Sequence, residues 1–147
     1  MRKNFKGVLN LGYVEVKNVP VQKSERFGEV MSAEVSGRIE RIVARVILER
    51  GVPLRGAEVQ YLRAVLAMSQ RQLGDLLGYS GVAILKWERA KSRRLDRVNE
   101  IAVRALMADR YGVKIDSAWD SLVGASEVPK KVLIDYRNFE RDYEDAA

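Results

Sequence analysis

The sequence predicts an α+β fold, in which a short N-terminal region of strands with one helix precedes an all-helical region. Val14 and Val16 alternate with Glu15 and Lys17, which is the period-two pattern of a half-buried strand. From Ile39 onward, apolar residues recur three and four positions apart, as they do on one face of a helix. Residues 57–112 then carry several short helical stripes separated by Gly and Ser, which indicates helices joined by tight turns.

The first elements are two predicted strands followed by a helix. Residues 8–21 are rich in Val, Leu and Tyr and predict one strand, residues 28–35 predict a second, and the polar segment 22–27 connects them. A helix is expected over 38–50, with Ser36 as its cap and Gly51 and Pro53 at its end. One face of this helix is apolar and the other carries Arg38, Arg41, Arg45 and Glu49. Because Gly51–Gly56 suits a boundary, residues 1–52 are predicted to form an N-terminal subdomain.

Residues 53–113 are predicted to form a second, helical domain. Val59, Leu62 and Leu66 mark its first helix, Ser69 and Ser80 can cap the next two, and a longer helix is expected to end at Gly112. Residues 114–147 form a C-terminal extension with a short helix over 117–123 and an acidic end that we expect to fray. Residues 131–137 fit either a helix or a strand, and the Val-Leu-Ile run favours the strand. The extension suits a dimer contact or a cover over the core, and the sequence does not decide between them.

The composition excludes several classes of function. The 147 residues include no Cys and no His, which excludes disulfides, thiol catalysis, His-dependent triads and the common zinc sites. The Tyr, Lys and carboxylate residues form no paired catalytic constellation, and no Gly-rich phosphate loop is present. The sequence therefore predicts no enzyme, no cofactor and no metal. No apolar run approaches the roughly 20 residues of a membrane span, and no secretory signal follows the charged N-terminus, so a cytoplasmic location is expected.

The charge distribution favours a polyanionic partner. Lys and Arg number 26 against 20 Asp and Glu, giving a net charge of +6. Residues 101–147 carry 7 basic and 9 acidic side chains, so the excess lies in the first 100 residues. A solvated helix face is the alternative explanation for the densest run of cations. That run comprises Lys86, Arg89, Lys91, Arg93, Arg94 and Arg97.

Residues 69–88 carry the most specific pattern. Two short helices joined by a turn that contains Gly78 form a helix-turn-helix, and Gly74 permits the helices to approach closely. The capped helix N-termini at Ser69 and Ser80 present amide groups and positive dipole ends that suit phosphate oxygens. The second helix of the pair is then expected to enter a DNA groove.

At these residues the chain resembles the Xre, or Cro/C1, family of bacterial regulators, whose DNA-binding domain is lambda-repressor-like. The resemblance rests on Ser69-Gln70, Leu77-Gly78 and Trp87-Glu88 at the family's spacing and covers residues 59–106. It implies that Gln70 meets the DNA backbone, that Ile84 and Trp87 are core, and that Glu88 pairs with Arg63 away from DNA. The resulting DNA-binding set is Ser69, Gln70, Arg71, Ser80, Gly81, Val82, Leu85, Lys86, Arg89, Lys91, Arg93 and Arg94.

The groove-facing positions depart from the family pattern, because Gly81, Val82, Ala83 and Leu85 offer few hydrogen-bonding groups. Direct readout would then rest on apolar contact with thymine methyl groups and on Gln70, Ser80 and Lys86. Phosphate contacts and DNA shape would supply much of the remaining affinity and selectivity.

The N-terminal region resembles antitoxins of the MqsA, or YgiT, type. Asn18-Val19-Pro20-Val21, a Gly-Glu, an Ala-Glu-Val and a helix precede the helix-turn-helix, as in those proteins. The antitoxins carry two Cys-x-x-Cys pairs that bind zinc, and the second pair corresponds here to Ser24 and Phe27. Because neither residue ligates zinc as a thiolate does, the resemblance implies a subdomain held by its apolar core.

The resemblances imply a homodimeric repressor that binds a palindromic operator in double-stranded DNA. The second resemblance adds the hypothesis that it is the antitoxin and autorepressor of a type II toxin-antitoxin pair, with a small ribonuclease as its cognate toxin. A transcriptional regulator without a toxin is the other possibility. An alternative from a different class is a toxin-neutralising interaction module with weak or non-specific DNA binding, which the apolar groove-facing residues favour and the cations oppose.

Overall fold

The computed structural model describes residues 1–8, 10–116 and 118–140. The α+β prediction is confirmed: these residues form five strands, six α-helices and one short 3-10 helix. The expected fraying of the acidic end concerns residues 141–147 and lies outside the described residues. The strands are β1 Arg2–Val8, β2 Leu11–Pro20, β3 Gln22–Ser24, β4 Gly28–Val30 and β5 Val132–Asp135. The helices are α1 Ala33–Glu49, α2 Gly56–Val65, α3 Gln70–Leu77, α4 Gly81–Arg89, α5 Arg97–Tyr111 and α6 Trp119–Val123, and the 3-10 helix is Tyr136–Phe139.

The chain divides into two compact units, and the division differs from the predicted domains 1–52, 53–113 and 114–147. One unit contains residues 1–43 and the chain from Pro129 onward, and the other spans Ala44–Val128. Helix α1 crosses the boundary, because the buried residues Val46 and Ile47 of its second half belong to the helical unit. The predicted C-terminal extension is likewise split, since β5 pairs with β2 and so joins the first unit.

The first unit contains a three-stranded sheet in the order β1-β2-β5. Strands β1 and β2 are antiparallel, whereas β5 runs parallel to β2 from Val14↔Val132 to Lys17↔Asp135. Val14 and Val16 are buried on one face, as the period-two pattern predicts, and so are their partners Val132 and Ile134 in β5. Glu15 is on the other face, where the ammonium group of Lys131 lies 2.6 Å from its carboxylate and holds the pKa of that carboxyl below its usual range.

Several N-terminal predictions are wrong in detail. The segment predicted as one strand over 8–21 follows a turn at Asn10, and the preceding strand β1 was not predicted because its Arg and Lys residues obscure the alternation. The second predicted strand ends at Val30, and α1 begins at Ala33 because the Ser32 hydroxyl accepts a hydrogen bond of 3.2 Å from the Val35 N–H. Ser32 therefore caps this helix, and Ser36 does not.

The helical unit follows the predicted element order. Helix α5 ends at Gly112 as expected, where a φ of +66° favours glycine. The predicted helix over 117–123 is α6, although Ser117 lies outside the described residues. Among the described helices, none has both the length and the apolar character that crossing a membrane requires. The buried side chains of this unit include Leu54, Val59, Leu62, Leu73, Ile84, Val103 and Met107.

Candidate nucleic-acid interface

Helices α3 and α4 form a helix-turn-helix with the predicted caps. The Ser69 hydroxyl accepts from the Gln72 N–H at 3.0 Å and the Gln72 side chain accepts from the Ser69 N–H at 2.8 Å, which is a complete capping box. Gly78 ends α3 with a φ of +81°, and the Ser80 hydroxyl then caps α4 by accepting from the Ala83 N–H at 3.1 Å. The capping box does not involve the N–H groups of Gln70 and Arg71.

Two glycines permit the close approach of these helices. A Cβ atom added at Gly74 would collide with the Tyr79 carbonyl oxygen and lie 3.1 Å from the Ser80 carbonyl carbon. A Cβ atom added at Gly81 would lie 3.3 Å from the Cα of Arg71. The backbone of α3 therefore packs directly against the turn and the first residue of α4, and this contact fixes the orientation of α4.

A buried ion pair joins α2 to the end of α4. The guanidinium of Arg63 donates two hydrogen bonds of 2.7 Å to the carboxylate of Glu88, and it donates a third to the Met68 carbonyl at 2.7 Å. Hydrogen bonding to this carboxylate raises the pKa of Arg63. The predicted pairing of Arg63 with Glu88 is therefore confirmed, and the Glu88 side chain is only 2% exposed.

Gln70 belongs to the same cluster. Its side-chain amide nitrogen donates to the Glu88 carboxylate at 3.2 Å. This contact places the start of α3 against the last turn of α4. It also occupies one of the two N–H donors of the Gln70 amide, so that a base contact would use the other N–H or the amide oxygen.

The outward face of α4 contains the predicted groove-facing residues. Val82 is 61% exposed, and Lys86 one turn later is exposed as well. Gly81 and Leu85 are half-buried, whereas Ile84 is fully buried as predicted. Trp87 was predicted to be core, and the structure shows it half-buried.

Tyr79 contacts the Trp87 ring and is itself bound by Asn99, and neither contact was predicted from the sequence. The ring centroids of Tyr79 and Trp87 are 5.0 Å apart at an interplanar angle of 68°, which is an edge-to-face contact. The Tyr79 hydroxyl donates to the side-chain oxygen Oδ1 of Asn99 at 2.8 Å. A tyrosine directly after the turn glycine is the only sequence signal for this contact, and its partner is 20 residues away.

The loop after α4 presents most of the predicted phosphate-binding cations. Arg89, Lys91 and Arg93 are exposed, as is Arg71 on α3. The loop backbone is fixed to the start of α2, because the carbonyls of Lys91 and Arg93 accept hydrogen bonds of 3.1 Å and 3.2 Å from Ala57 and Gly56. A Cβ atom added at Gly56 would collide with the Trp87 carbonyl oxygen, so this approach also requires glycine.

Arg94 corrects the predicted set. Its guanidinium donates two bonds of 2.7 and 2.9 Å to the Glu100 carboxylate and two of 3.1 Å to the carbonyls of Val123 and Ser126. Hydrogen bonding to Glu100 raises the pKa of Arg94. Four of the five N–H donors of a guanidinium are thus occupied within the protein. Arg94 is a structural residue, and phosphate binding by its side chain would require it to leave these partners.

Glu100 connects the half-buried Arg94 to a buried arginine, Arg104. The Glu100 carboxylate accepts from the Leu54 N–H at 3.1 Å and from Arg104 at 3.2 Å. Arg104 is fully buried and also donates to the carbonyls of Val52 and Leu122. Burial lowers the pKa of Arg104, against the opposing effect of Glu100. Through these bonds α5 holds two segments in place. One is the loop that precedes α2, and the other is the chain at the end of α6 and just after it.

The described residues contain no group of three or more Asp or Glu side chains that could hold a metal ion. At the two positions that the second resemblance aligns with zinc ligands, the Ser24 hydroxyl accepts a hydrogen bond of 3.3 Å from the Phe27 N–H. Searches with protein-family models, against curated proteins and against solved structures found no match to this chain.

Proposed function

We propose that this protein is a sequence-specific regulator of transcription that binds double-stranded DNA through α3 and α4 as a homodimer on a palindromic operator. The single observation that carries the proposal is the fixed helix-turn-helix. Its second helix has Val82 and Lys86 on its exposed face, and an exposed basic loop follows it.

Affinity would come from the DNA backbone. Arg71, Arg89, Lys91 and Arg93 are exposed on α3, on the last turn of α4 and in the following loop, where they can neutralise phosphates. The N-termini of α3 and α4, at Ser69 and Ser80, add backbone donors and positive dipole ends. These contacts position the protein without reading sequence.

Specificity would come from a small set of base contacts. Lys86 can donate to the acceptor atoms of guanine in the major groove, and Val82 and Leu85 can contact thymine methyl groups. Gln70 is held by Glu88 and would contribute mainly to the backbone contacts at the start of α3. Because few of these groups form hydrogen bonds, DNA shape would account for part of the preference.

The protein would act as an autorepressor in the cytoplasm. A more specific hypothesis is that it is also the antitoxin that neutralises a ribonuclease toxin. Binding to a toxin is the second candidate function, and the apolar character of Gly81, Val82 and Leu85 favours it. These two activities are separable, since a toxin-binding module would give a stable complex with the neighbouring gene product and no preference among DNA sequences.

Fluorescence anisotropy tests the proposal directly. The full chain is titrated onto labelled duplex from the region upstream of its own coding sequence and onto a scrambled duplex of the same composition, at several salt concentrations. We expect a preference of about a thousandfold or more, with saturation at two chains per site. Equal and steeply salt-dependent binding to both duplexes would contradict specific recognition and would leave only the phosphate contacts.

A further inference from the structure

A cleft lies at the C-terminal end of α4 and belongs entirely to the helical unit. Its volume is about 200 Å³, which is below the roughly 300–1,000 Å³ typical of sites for drug-sized ligands. It would therefore hold a ligand of about one ring. Its walls include Trp87, Leu95, Lys86, Arg93, Asp96 and Asn99.

The cleft combines an apolar wall with positive potential. Trp87 and the buried Leu95 form the apolar part, and the edge-to-face contact with Tyr79 holds the Trp87 ring in place. Lys86 and Arg93 are exposed cations on the rim. The N-terminus of α5, a helix of 15 residues, adds the positive end of its helix dipole. Asp96 at its N-cap makes no side-chain capping bond to the first N–H groups of this helix.

Two polar groups define what else the ligand needs. The side-chain oxygen of Asn99 accepts from the Tyr79 hydroxyl, so the side-chain nitrogen of Asn99 remains as a donor toward the cleft. The Asp96 carboxylate is the only acid among the residues that line the cleft, and it would repel an anion that has no donor to offer it.

We propose that this cleft is a site for a small single-ring aromatic acid that also carries an amino group. The acid group would pair with Lys86 and Arg93, the ring would contact Trp87, and the amino group would donate to Asp96. Ligand binding at this site does not depend on the proposed function, but the effect of the ligand on DNA binding rests on it. Because Lys86 and Arg93 are proposed DNA contacts, ligand and DNA would compete, and the ligand would act as an inducer.

The probes are 4-aminobenzoate, benzoate and aniline, added to the full chain. The proton NMR signals of the two indole N–H groups report binding, and Trp119, an exposed residue on α6, is the internal control. We expect 4-aminobenzoate to shift the Trp87 signal with a dissociation constant of about 1 mM or below and to leave the Trp119 signal unchanged. Benzoate and aniline, which each lack one group, should bind at least roughly fivefold more weakly.

Variants distinguish binding of the probe at this cleft from non-specific attraction of an anion to a basic surface. Arg93→Gln should weaken 4-aminobenzoate binding by roughly fivefold or more, whereas Arg110→Gln, at an exposed cation on another cleft, should not change it. Asp96→Ala, which removes the acceptor for the amino group, should abolish the preference over benzoate. An unmoved Trp87 signal at about 10 mM probe, or equal shifts with all three probes, would overturn the proposal.

A competition experiment between 4-aminobenzoate and operator DNA distinguishes failure of the proposed site from failure of the proposed function. We expect 4-aminobenzoate to displace operator DNA from the wild-type chain at a concentration at least roughly fivefold lower than benzoate or aniline requires. If the Trp87 signal moves with 4-aminobenzoate but no duplex is preferred, the site stands and the DNA proposal fails. If the Trp87 signal moves with duplex and not with the probe, the DNA proposal stands and the aromatic-acid site is excluded.

Discussion

Arg63 and Glu88 form a two-pronged ion pair that ties the last turn of α4 to α2, with both hydrogen bonds at 2.7 Å. Glu88 follows Trp87 directly, so the pair fixes the C-terminal end of the helix that we propose to enter the groove. The same carboxylate accepts from Gln70 at the start of α3. One buried acid thus links three helices of the helical unit.

Arg63→Ala leaves the buried Glu88 carboxylate without its main partner. We expect the free energy of unfolding to fall by about 3–5 kcal/mol, as measured by urea denaturation. The double variant Arg63→Met with Glu88→Met removes both charges together and should recover most of the loss. A cost below about 1 kcal/mol for Arg63→Ala would show that the buried Glu88 carboxylate does not depend on Arg63 as its partner.

Gly74→Ala tests the close approach of α3 to the turn. The added Cβ would collide with the Tyr79 carbonyl oxygen, so we expect a loss of about 1–3 kcal/mol in unfolding free energy. Gly37→Ala, inside α1 with no atom within 4 Å of the added Cβ, is the matched control and should gain about 0.5–1 kcal/mol. Equal effects at the two positions would refute the packing argument.

Arg94 and Arg93 are neighbours with opposite expected roles. Arg94→Gln breaks the contacts with Glu100, Val123 and Ser126 and should cost about 2 kcal/mol of unfolding free energy. Arg93→Gln should leave the unfolding free energy within about 0.5 kcal/mol of wild type and reduce the salt dependence of DNA binding by about one unit of slope. If Arg93→Gln destabilised the fold and Arg94→Gln did not, the structural role would belong to Arg93 and the DNA contact to Arg94.

The Lys131–Glu15 pair predicts a dependence of stability on pH. Because hydrogen bonding to Lys131 lowers the pKa of Glu15 in the folded state, the stabilisation is complete above the carboxyl's unfolded pKa. It is lost as the pH falls through the lower folded pKa. Lys131→Met should therefore be less stable than wild type at pH 7, and the difference should shrink as the pH falls below about 4. A difference that stays constant from pH 7 to pH 3 would rule out this linkage.

The sequence predicted most of the helical unit because its signals are local. Ser69, Gly78 and Ser80 determine helix ends within a few residues of themselves, and the structure has the ends where these residues predict them. The role of Arg94 could not be predicted, since its partners include Val123 and Ser126, about 30 residues away. The pairing of β5 with β2 joins residues more than 100 positions apart and leaves no local pattern.

Selection of duplexes from a randomised pool, with wild type and paired variants, tests most directly whether α4 reads DNA sequence. We expect wild type to enrich a palindromic site and Lys86→Ala to lose preference at one base pair in each half-site, with specific affinity weakened by about 1–3 kcal/mol. Arg93→Gln should enrich the same site as wild type with lower affinity for every sequence. If Lys86→Ala selected the wild-type site unchanged, α4 would not be the helix that reads DNA.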